Sequence, residues 1–290
     1  MGFDWESLRP HLTVPYVPTI GPVHPSALTA KRFEDICTVA DSGRFLPYDK
    51  DRRWSPVKLE HVLVEDAAHA AGTPLIPTLL RRGGHTVKVH VYGSEPDALT
   101  TAADLATKLR AVHDAGGARI VWFLGPEQPE LYARGTRVHL KDFATGAGLD
   151  PGMDVREYEK LSTEAQVGFA RFAGRMAGDG FAFLYKQMRG GRVGPVLTVS
   201  HEGRVAGAIG PMETMVDAIG RTQLLPQYFG VLPEYRGHGY GRALWRAAMQ
   251  WGHRHGAAYQ LLQTEVGGAS DRLCAAEGLD SLGFVCSVEV

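Results

Sequence analysis

The chain has 290 residues, 44% hydrophobic and 22% charged, an ordinary globular composition that excludes a disordered chain and suggests about two domains. Its 31 Lys and Arg against 32 Asp and Glu leave a formal charge of −1, so no global attraction to nucleic acid or an anionic membrane is available. Three scattered cysteines, Cys37, Cys274 and Cys286, make neither a disulfide framework nor a zinc knuckle.

The first residues, MGFDWESLRP, lack the charged-then-apolar pattern of a signal peptide, and Glu6 stands where a myristoylation signal wants Ser or Thr. No run approaches the roughly 18 apolar residues of a membrane span. The expected location is cytoplasmic. Pro15 to Pro25 (PYVPTIGPVHP) reads as an extended strap, because each proline lacks a donor and restricts the residue before it. Ala27 to Ala40 is weakly helical. Ser55 and Pro56 read as the N-cap and first residue of a helix running to Ala71, with Gly72 past its end. On one face of that helix His61, Glu65 and His69 would be spaced to ligate a metal, but no H-E-x-x-H pattern supports it, and a solvated face is the plainer reading.

Thr86 to Tyr92 alternates with period two, as a half-buried strand does. Asp97 to Ala115 is spaced as a helix, and Ala118 to Leu124 is a continuous apolar strand containing Trp122 and Phe123, so the first half reads as a small α/β domain. Gly146 to Met153 is the most linker-like stretch, with Arg137 to Phe143 a strand before it. Asp154 to Ala177 reads as helix and Phe181 to Gln187 as a short strand. Val196 to Ser200 and Arg204 to Ile209 form a hairpin across His201-Glu202-Gly203. Gln223 to Leu232 is a strand, Arg242 to His255 a helix, Tyr259 to Val266 a strand, and Phe284 to Val290 a last one. Apolar Leu244, Ala247, Ala248 and Trp251 mark the helix's buried face, and His253 and His255 suit the negative end of its dipole.

The chemistry lies between that strand and helix, in FGVLPEYRGHGYGR at Phe229 to Arg242. A strand, a glycine-rich turn and a helix N-terminus present converging backbone N–H groups, the arrangement that holds phosphate. Arg236 adds a positive charge at the entrance. A Walker A loop is excluded, since no Gly-Lys occurs anywhere in the sequence. A dinucleotide fingerprint fits less well, because Gly237, Gly239 and Gly241 run G-x-G-x-G, although Glu265 lies near the distance of that motif's acidic residue.

Val231-x-Pro233-x-x-Arg236-Gly237-x-Gly239-x-Gly241 resembles the signature of the GNAT superfamily of acyl-CoA-dependent N-acetyltransferases. The resemblance covers roughly 134–290. It implies a mixed, largely antiparallel α/β sheet with flanking helices in the C-terminal half, preceded by a smaller α/β domain at 1–133. It also implies that Arg236, Gly237, His238, Gly239, Tyr240, Gly241, Arg242 and Ser270 surround coenzyme A, with acetyl-CoA as acyl donor and no metal. Phe229, Gly230 and Val231 would line the pantetheine arm, one N–H polarising the acyl carbonyl. The acceptor would be the amine of a small molecule. Two features depart from the family: Ser270 stands where Asn is usual, and the usual acid tyrosine falls on Leu279 or Glu277 according to the landmark counted from. Glu213 as base and Tyr228 as acid are the candidates put in its place, each with a plain alternative as loop acid or packed ring.

Two other functions stay open. One is acyl transfer from aminoacyl-tRNA, for which only a local patch at Arg52, Arg53, Arg81 and Arg82 offers basic surface; the other is a non-catalytic acyl-CoA-binding regulatory module. The first half reads either as a degenerate GNAT-like repeat docked across the second domain's open sheet edge, walling the acceptor pocket, or as an independent domain on a linker.

Overall fold

The computed structural model describes residues 8–70, 72–93, 95–128, 135–144 and 150–290. In chain order the first half holds β1 (Tyr16–Val17), β2 (Gly21–Pro22), α1 (Ala30–Thr38), β3 (Glu60–Val62), β4 (Ala68–Ala70), β5 (Thr73–Leu80), β6 (Thr86–Val91), α2 (Pro96–Val112), β7 (Gly117–Leu124) and β8 (Gly135–Asp142). Then come β9 (Val155–Glu157), α3 (Thr163–Arg175), α4 (Phe181–Arg189), β10 (Leu197–His201), β11 (Arg204–Gly210), β12 (Thr214–Val216) and β13 (Thr222–Leu224). The last elements are β14 (Tyr228–Val231), α5 (Tyr240–Arg254), β15 (Tyr259–Glu265), α6 (Ala269–Ala276) and β16 (Asp280–Glu289). The sequence division at 133/134, the opening residues before Leu8 and the Gly146 end of the linker-like stretch lie outside the described residues. The chain forms two compact units, Met1–Leu140 with Leu261–Val290, and Lys141–Gln260.

In the first unit β8, β16, β7, β6, β5 and β3 lie side by side. The ladder is antiparallel except between β6 and β7, which run parallel. A parallel pair needs a crossover, and α2 supplies it. Ala98, Ala102, Ala106 and Leu109 of α2 are buried against Val87, Val89, Val91, Ala118 and Ile120 of the sheet. The last strand, β16, is covered on both edges. Phe284 to Glu289 pair with Leu124 to Arg119, and Asp280 to Cys286 pair with Leu140 to Gly135 around a bulge at Ser281/Gly283.

The second unit is a four-stranded antiparallel sheet in the order β14-β11-β10-β9. Phe169, Phe172 and Ala173 of α3 and Phe181 and Leu184 of α4 join Val205, Ala208 and Leu232 in one apolar cluster. Against β11 comes the buried face of α5, whose Leu244, Ala247, Ala248 and Trp251 are all inside. The approach is close, since a Cβ on Gly207 of β11 would stand 3.0 Å from Leu244 Cδ1. The strand pair β12–β13 extends the unit, with β13 running parallel to Tyr259 and Gln260.

Four sequence expectations give way. The span 56–71 holds no α-helix among the described residues, only a single 3-10 turn at Val64–Asp66: Glu60 to Val62 pair with Leu80 to Thr78, and Ala68 to Ala70 with Leu75 to Thr73. Pairing with β5 overrides the helical spacing there; β5 itself, which contains Pro74 and Pro77, is not among the strands expected from the sequence, proline being a residue that strands usually exclude. His61, Glu65 and His69 therefore share no helix face. Phe181 to Arg189 is a helix rather than a strand, because Phe181, Leu184, Tyr185 and Met188 recur at helical spacing and all enter one cluster. Helix α3 starts at Thr163 rather than Asp154; Ser162 caps it by accepting from the Ala165 N–H, and residues 155–157 pair with β10 instead. Finally, the strand expected over 223–232 is two strands, interrupted around Pro226, which has no N–H to continue a ladder.

A candidate acyl-CoA site at a strand–glycine-loop–helix junction

All candidate site residues except Ser270 lie in the second unit. β14 is an edge strand, paired with β11 through Tyr228↔Gly210, Phe229↔Ile209, Gly230↔Ala208 and Val231↔Gly207. The N–H of Leu232 donates to the Ala206 carbonyl at 2.9 Å, which fixes the phase of the ladder. In an antiparallel pair the bonded and non-bonded residues alternate. Gly230 and Leu232 therefore turn their backbone groups toward β11, and Phe229 and Val231 turn theirs to the open side. The sequence left all three residues of this strand as candidates; the ladder selects Phe229 and Val231 as its outward N–H donors. The Arg236 guanidinium Nε already donates to the Val231 carbonyl, at 3.2 Å.

The side chains divide by the same alternation. Phe229 and Val231 reach toward α5, where a Cβ on Gly241 would lie 3.5 Å from Phe229 Cζ and 3.9 Å from Val231 Cγ2. Tyr228 and Gly230 face the aromatic cluster: a Cβ on Gly230 would stand 2.6 Å from Met176 Cε, and the Tyr228 ring packs 6.4 Å from Phe181 and 6.3 Å from Phe183. Its edge rests on Gly180, where any Cβ would lie 2.3 Å from Tyr228 Cε1.

Beyond β14, a single turn at Pro233–Tyr235 leads into the exposed residues 236–239. Gly237 and Gly239 take φ of +83° and +82°, conformations that cost a residue with a Cβ. Helix α5 begins at Tyr240 with Gly239 as N-cap, no side chain caps it, and its first turn contains no acid. The first helical bond runs from the Ala243 N–H to the Gly239 carbonyl, so the N–H groups of Tyr240 and Gly241 belong to those that a helix leaves at its start. Arg236 and Arg242, both exposed, add positive charge to the positive end of the dipole. A loop with two left-handed glycines, uncapped amide donors and two guanidinium groups offers what a polyanion such as a pyrophosphate can bind.

A ring of polar aromatics borders this loop. His201, at the end of β10, binds the Tyr240 hydroxyl through Nδ1 at 2.7 Å, and its ring lies 5.0 Å from Tyr235 and 6.2 Å from His238. His238 Nδ1 donates to the Tyr235 and Arg236 carbonyls, at 3.3 and 3.1 Å, and its ring stacks on Tyr240. The sequence pointed to His238 and Tyr240 but not to His201, thirty-odd residues earlier.

Glu213 follows β11 just beyond Gly210, the residue that pairs with Tyr228. Its carboxylate accepts from the Gly194 N–H at 3.1 Å, and its own carbonyl accepts from the Leu225 N–H at 2.9 Å. The ladder thus brings Glu213 and Tyr228 to the same end of the β11–β14 pair. Ser270 lies in the first unit, in the first turn of α6. Glu277 is the C-cap residue of α6, and Leu279 is a buried aliphatic.

Where β13 leaves β15 there is a feature that sequence reading missed. Leu224 is still paired with Gln260, but three residues later Gln227 is joined to β15 only by its side chain: Gln260 Nε2 donates to Gln227 Oε1 at 2.7 Å. Gln260 is completely buried, and its Oε1 has no partner. Leaving a buried acceptor unpaired costs about 1–3 kcal/mol. A polar residue second in the otherwise apolar opening Tyr259-Gln260-Leu261-Leu262 was the one signal available.

In the first unit His139 and Asp271 form a second buried polar group. His139 Nε2 lies 3.0 Å from Asp271 Oδ1, which also accepts from Arg137 at 2.9 Å, while Oδ2 accepts from the Gly267 N–H at 2.9 Å. Burial opposes the Asp271 charge, but those donors hold its carboxyl below the usual range; burial likewise keeps the His139 ring neutral to lower pH. Among the described residues no group of three or more His, Cys, Asp or Glu is placed to hold a metal ion, and no helix is long and apolar enough to cross a membrane.

No curated protein matches the chain in sequence. Solved structures similar to it include a GCN5-related N-acetyltransferase from Sphaerobacter thermophilus, at 14% identity over 74% of this chain and 76% of that one, with a TM-score of 0.46. Others are a tandem GNAT protein of the clavulanic acid biosynthesis pathway (16% identity, 76% and 81% covered, TM-score 0.45) and a GCN5-related N-acetyltransferase from Kribbella flavida (14%, 77% and 88%, 0.45). Residues 177–274 match the acetyltransferase (GNAT) family. That span contains β14, the glycine loop and α5 entire, so the segment similar to the GNAT family carries the whole strand–loop–helix junction.

Proposed function

We propose that the protein is an N-acyltransferase that uses acetyl-CoA, or another acyl-CoA, to acylate the amine of a small molecule by direct attack. The observation that carries this reading is the join of β14's outward N–H groups to an uncapped, doubly left-handed glycine loop. One stretch of fourteen residues thereby offers donors for an extended amide-bearing arm and for a pyrophosphate. Acyl-CoA when bound would supply an activated acyl thioester, with free CoA thiol as the leaving group. The amides of the glycine loop and the first turn of α5, with Arg236 and Arg242, hold its phosphates, and Phe229 or Val231 N–H donates to the acyl oxygen. Glu213 accepts a proton from the acceptor amine, so that a neutral lone pair attacks, and Tyr228 donates one toward the departing sulfur. Nearness of base, acid and thioester supplies the entropic part of the rate. Since no phenol stands at Glu277 or Leu279, a non-catalytic acyl-CoA-binding module is the second reading.

The test is release of free thiol from acetyl-CoA with a panel of small amines, with and without ribonuclease. Amine-dependent release insensitive to ribonuclease is expected. Binding of CoA without amine-dependent release would favour the regulatory module; acylated amine formed from aminoacyl-tRNA without release of thiol, and lost with ribonuclease, would favour a tRNA donor.

A further inference from the structure

The fork between β13 and β14 holds a polar group that the reaction as written does not use. The chain runs beside β15 as far as Leu224↔Gln260, turns at Leu225 (whose N–H bonds the Glu213 carbonyl), passes Pro226, and from Tyr228 pairs with β11 instead. Gln227 and Gln260 span the opening by the one bond from Gln260 Nε2 to Gln227 Oε1.

The orientation of both amides follows from their neighbours. Gln227 Nε2 donates to the Leu225 carbonyl, a group that can only accept. Gln227 therefore turns its oxygen to Gln260, and Gln260 must answer with its NH₂. Its own oxygen is left over, in a side chain with no exposure to solvent. Turning either amide over would set two acceptors against each other. The fork thus holds an oriented, desolvated hydrogen-bond acceptor in want of a donor, two residues before the outward N–H of Phe229 and beside the segment that carries Glu213.

We propose that Gln260 Oε1 accepts an N–H of the acceptor amine, and that Gln227 is the positioning residue that keeps this oxygen aimed. The inference rests on the N-acyltransferase reading and deepens it. An amine that has given one proton to Glu213 still carries N–H bonds, and anchoring one of them orients the lone pair without consuming the nucleophile. A neutral amide suits the role because it accepts a hydrogen bond without taking the proton. The site consequently favours acceptors with an N–H remaining beside the reacting lone pair, and primary amines over hydroxyl acceptors, whose single proton is removed in the reaction.

The test compares the wild-type chain with Gln260→Met and Gln227→Met in three measurements: the melting-temperature rise on adding CoA, the further rise on adding the best amine of the panel to CoA-saturated protein, and kcat and KM for that amine. Both variants should keep the CoA-induced rise. Gln260→Met should lose the amine-induced rise and raise the amine KM at least tenfold, with a smaller change in kcat. Gln227→Met should show the same pattern more weakly, and it carries the test if Gln260→Met does not fold. An amine KM within threefold of wild type in the folded variants overturns the proposal while the acyltransferase reading stands, as does a loss that falls equally on CoA binding. Absence of amine-dependent release by the wild-type chain overturns both.

Discussion

Replacing Gly239 by Asp tests the donor site while leaving the fold nearly neutral. Gly239 sits at φ +82° as the N-cap of α5. A side chain in the left-handed region costs about 1–2 kcal/mol, and its Cβ would meet only Met153 Cε, at 3.1 Å, the end of a flexible side chain. Against this, a carboxylate at a helix start gains about 0.3–1 kcal/mol from the dipole. The net cost is therefore about 1 kcal/mol, or roughly 2–4 °C in melting temperature. For the ligand the balance is different. A carboxylate about 4 Å from a bound phosphate charge, at an effective dielectric of about 20, is repelled by roughly 4 kcal/mol. That is more than enough to raise the dissociation constant 100-fold. At a CoA concentration of about 100 times its dissociation constant, the parent protein gains about 2.7 kcal/mol, a rise of roughly 5–10 °C; the variant should gain about 0.4 kcal/mol or less, near 1 °C. Thermal melts of parent, Gly239→Asp and Gly239→Ala, each with and without CoA, check this. The alanine control carries the same strain without the charge and should retain most of the rise. If Gly239→Asp responds to CoA as the parent does, the glycine loop is not the phosphate site.

Glu213→Gln and Tyr228→Phe should each lower turnover about 10²-fold or more with CoA binding unchanged, the usual scale for losing a general base or acid; losses under threefold in both would place the proton transfers elsewhere. His90, fully buried with Nδ1 against the Ile76 carbonyl, is held neutral by burial, partly offset by the Glu60 charge, its pKa falling from 6.5 to about 4. Since the unfolded ring takes up its proton first, this stabilisation is complete above pH 6.5 and drains away between 6.5 and 4, by about 3 kcal/mol. Urea melts at pH 7 and pH 4.5 should show that loss in the parent and a smaller one in His90→Gln; equal losses would refute it. Residues 134–290 expressed alone should aggregate, because they expose the edge of β16 that Ile120 to Leu124 and Arg119 cover. Co-expressing residues 1–133 should restore solubility, whereas a soluble fragment with full CoA affinity would show that β16 does not need its β7 partner.

What could be read in the sequence was what local chemistry dictates. The glycine loop, the amphipathic face of α5, the 196–209 hairpin and the β6–α2–β7 crossover each rest on neighbours within one or two turns, and each is present. The failures share a cause of the opposite kind. Pro74 and Pro77 mark β5 as a breaker locally, yet the Pro77 carbonyl accepts from Leu63 and the Pro74 carbonyl from Tyr92, so the strand holds between partners on both sides. The short apolar run Phe181 to Gln187 reads as a strand, and only burial of Phe181 and Leu184 in one cluster reveals the period that makes Phe181–Arg189 a helix. The candidate site divides in the same way. Its donor half is backbone chemistry, written in consecutive residues because left-handed turns need glycine and an anion needs converging amides. The acceptor half proposed for it is side-chain chemistry, from Glu213, Gln227, Tyr228 and Gln260, and no spacing rule links a glutamine after Pro226 to one on β15. That asymmetry follows from what each half must recognise. A fixed pyrophosphate can be met by one fixed loop, whereas an acceptor is met by whichever side chains the fold brings to the fork, so the two glutamines there are the place where a change of residue would alter the substrate without disturbing the donor.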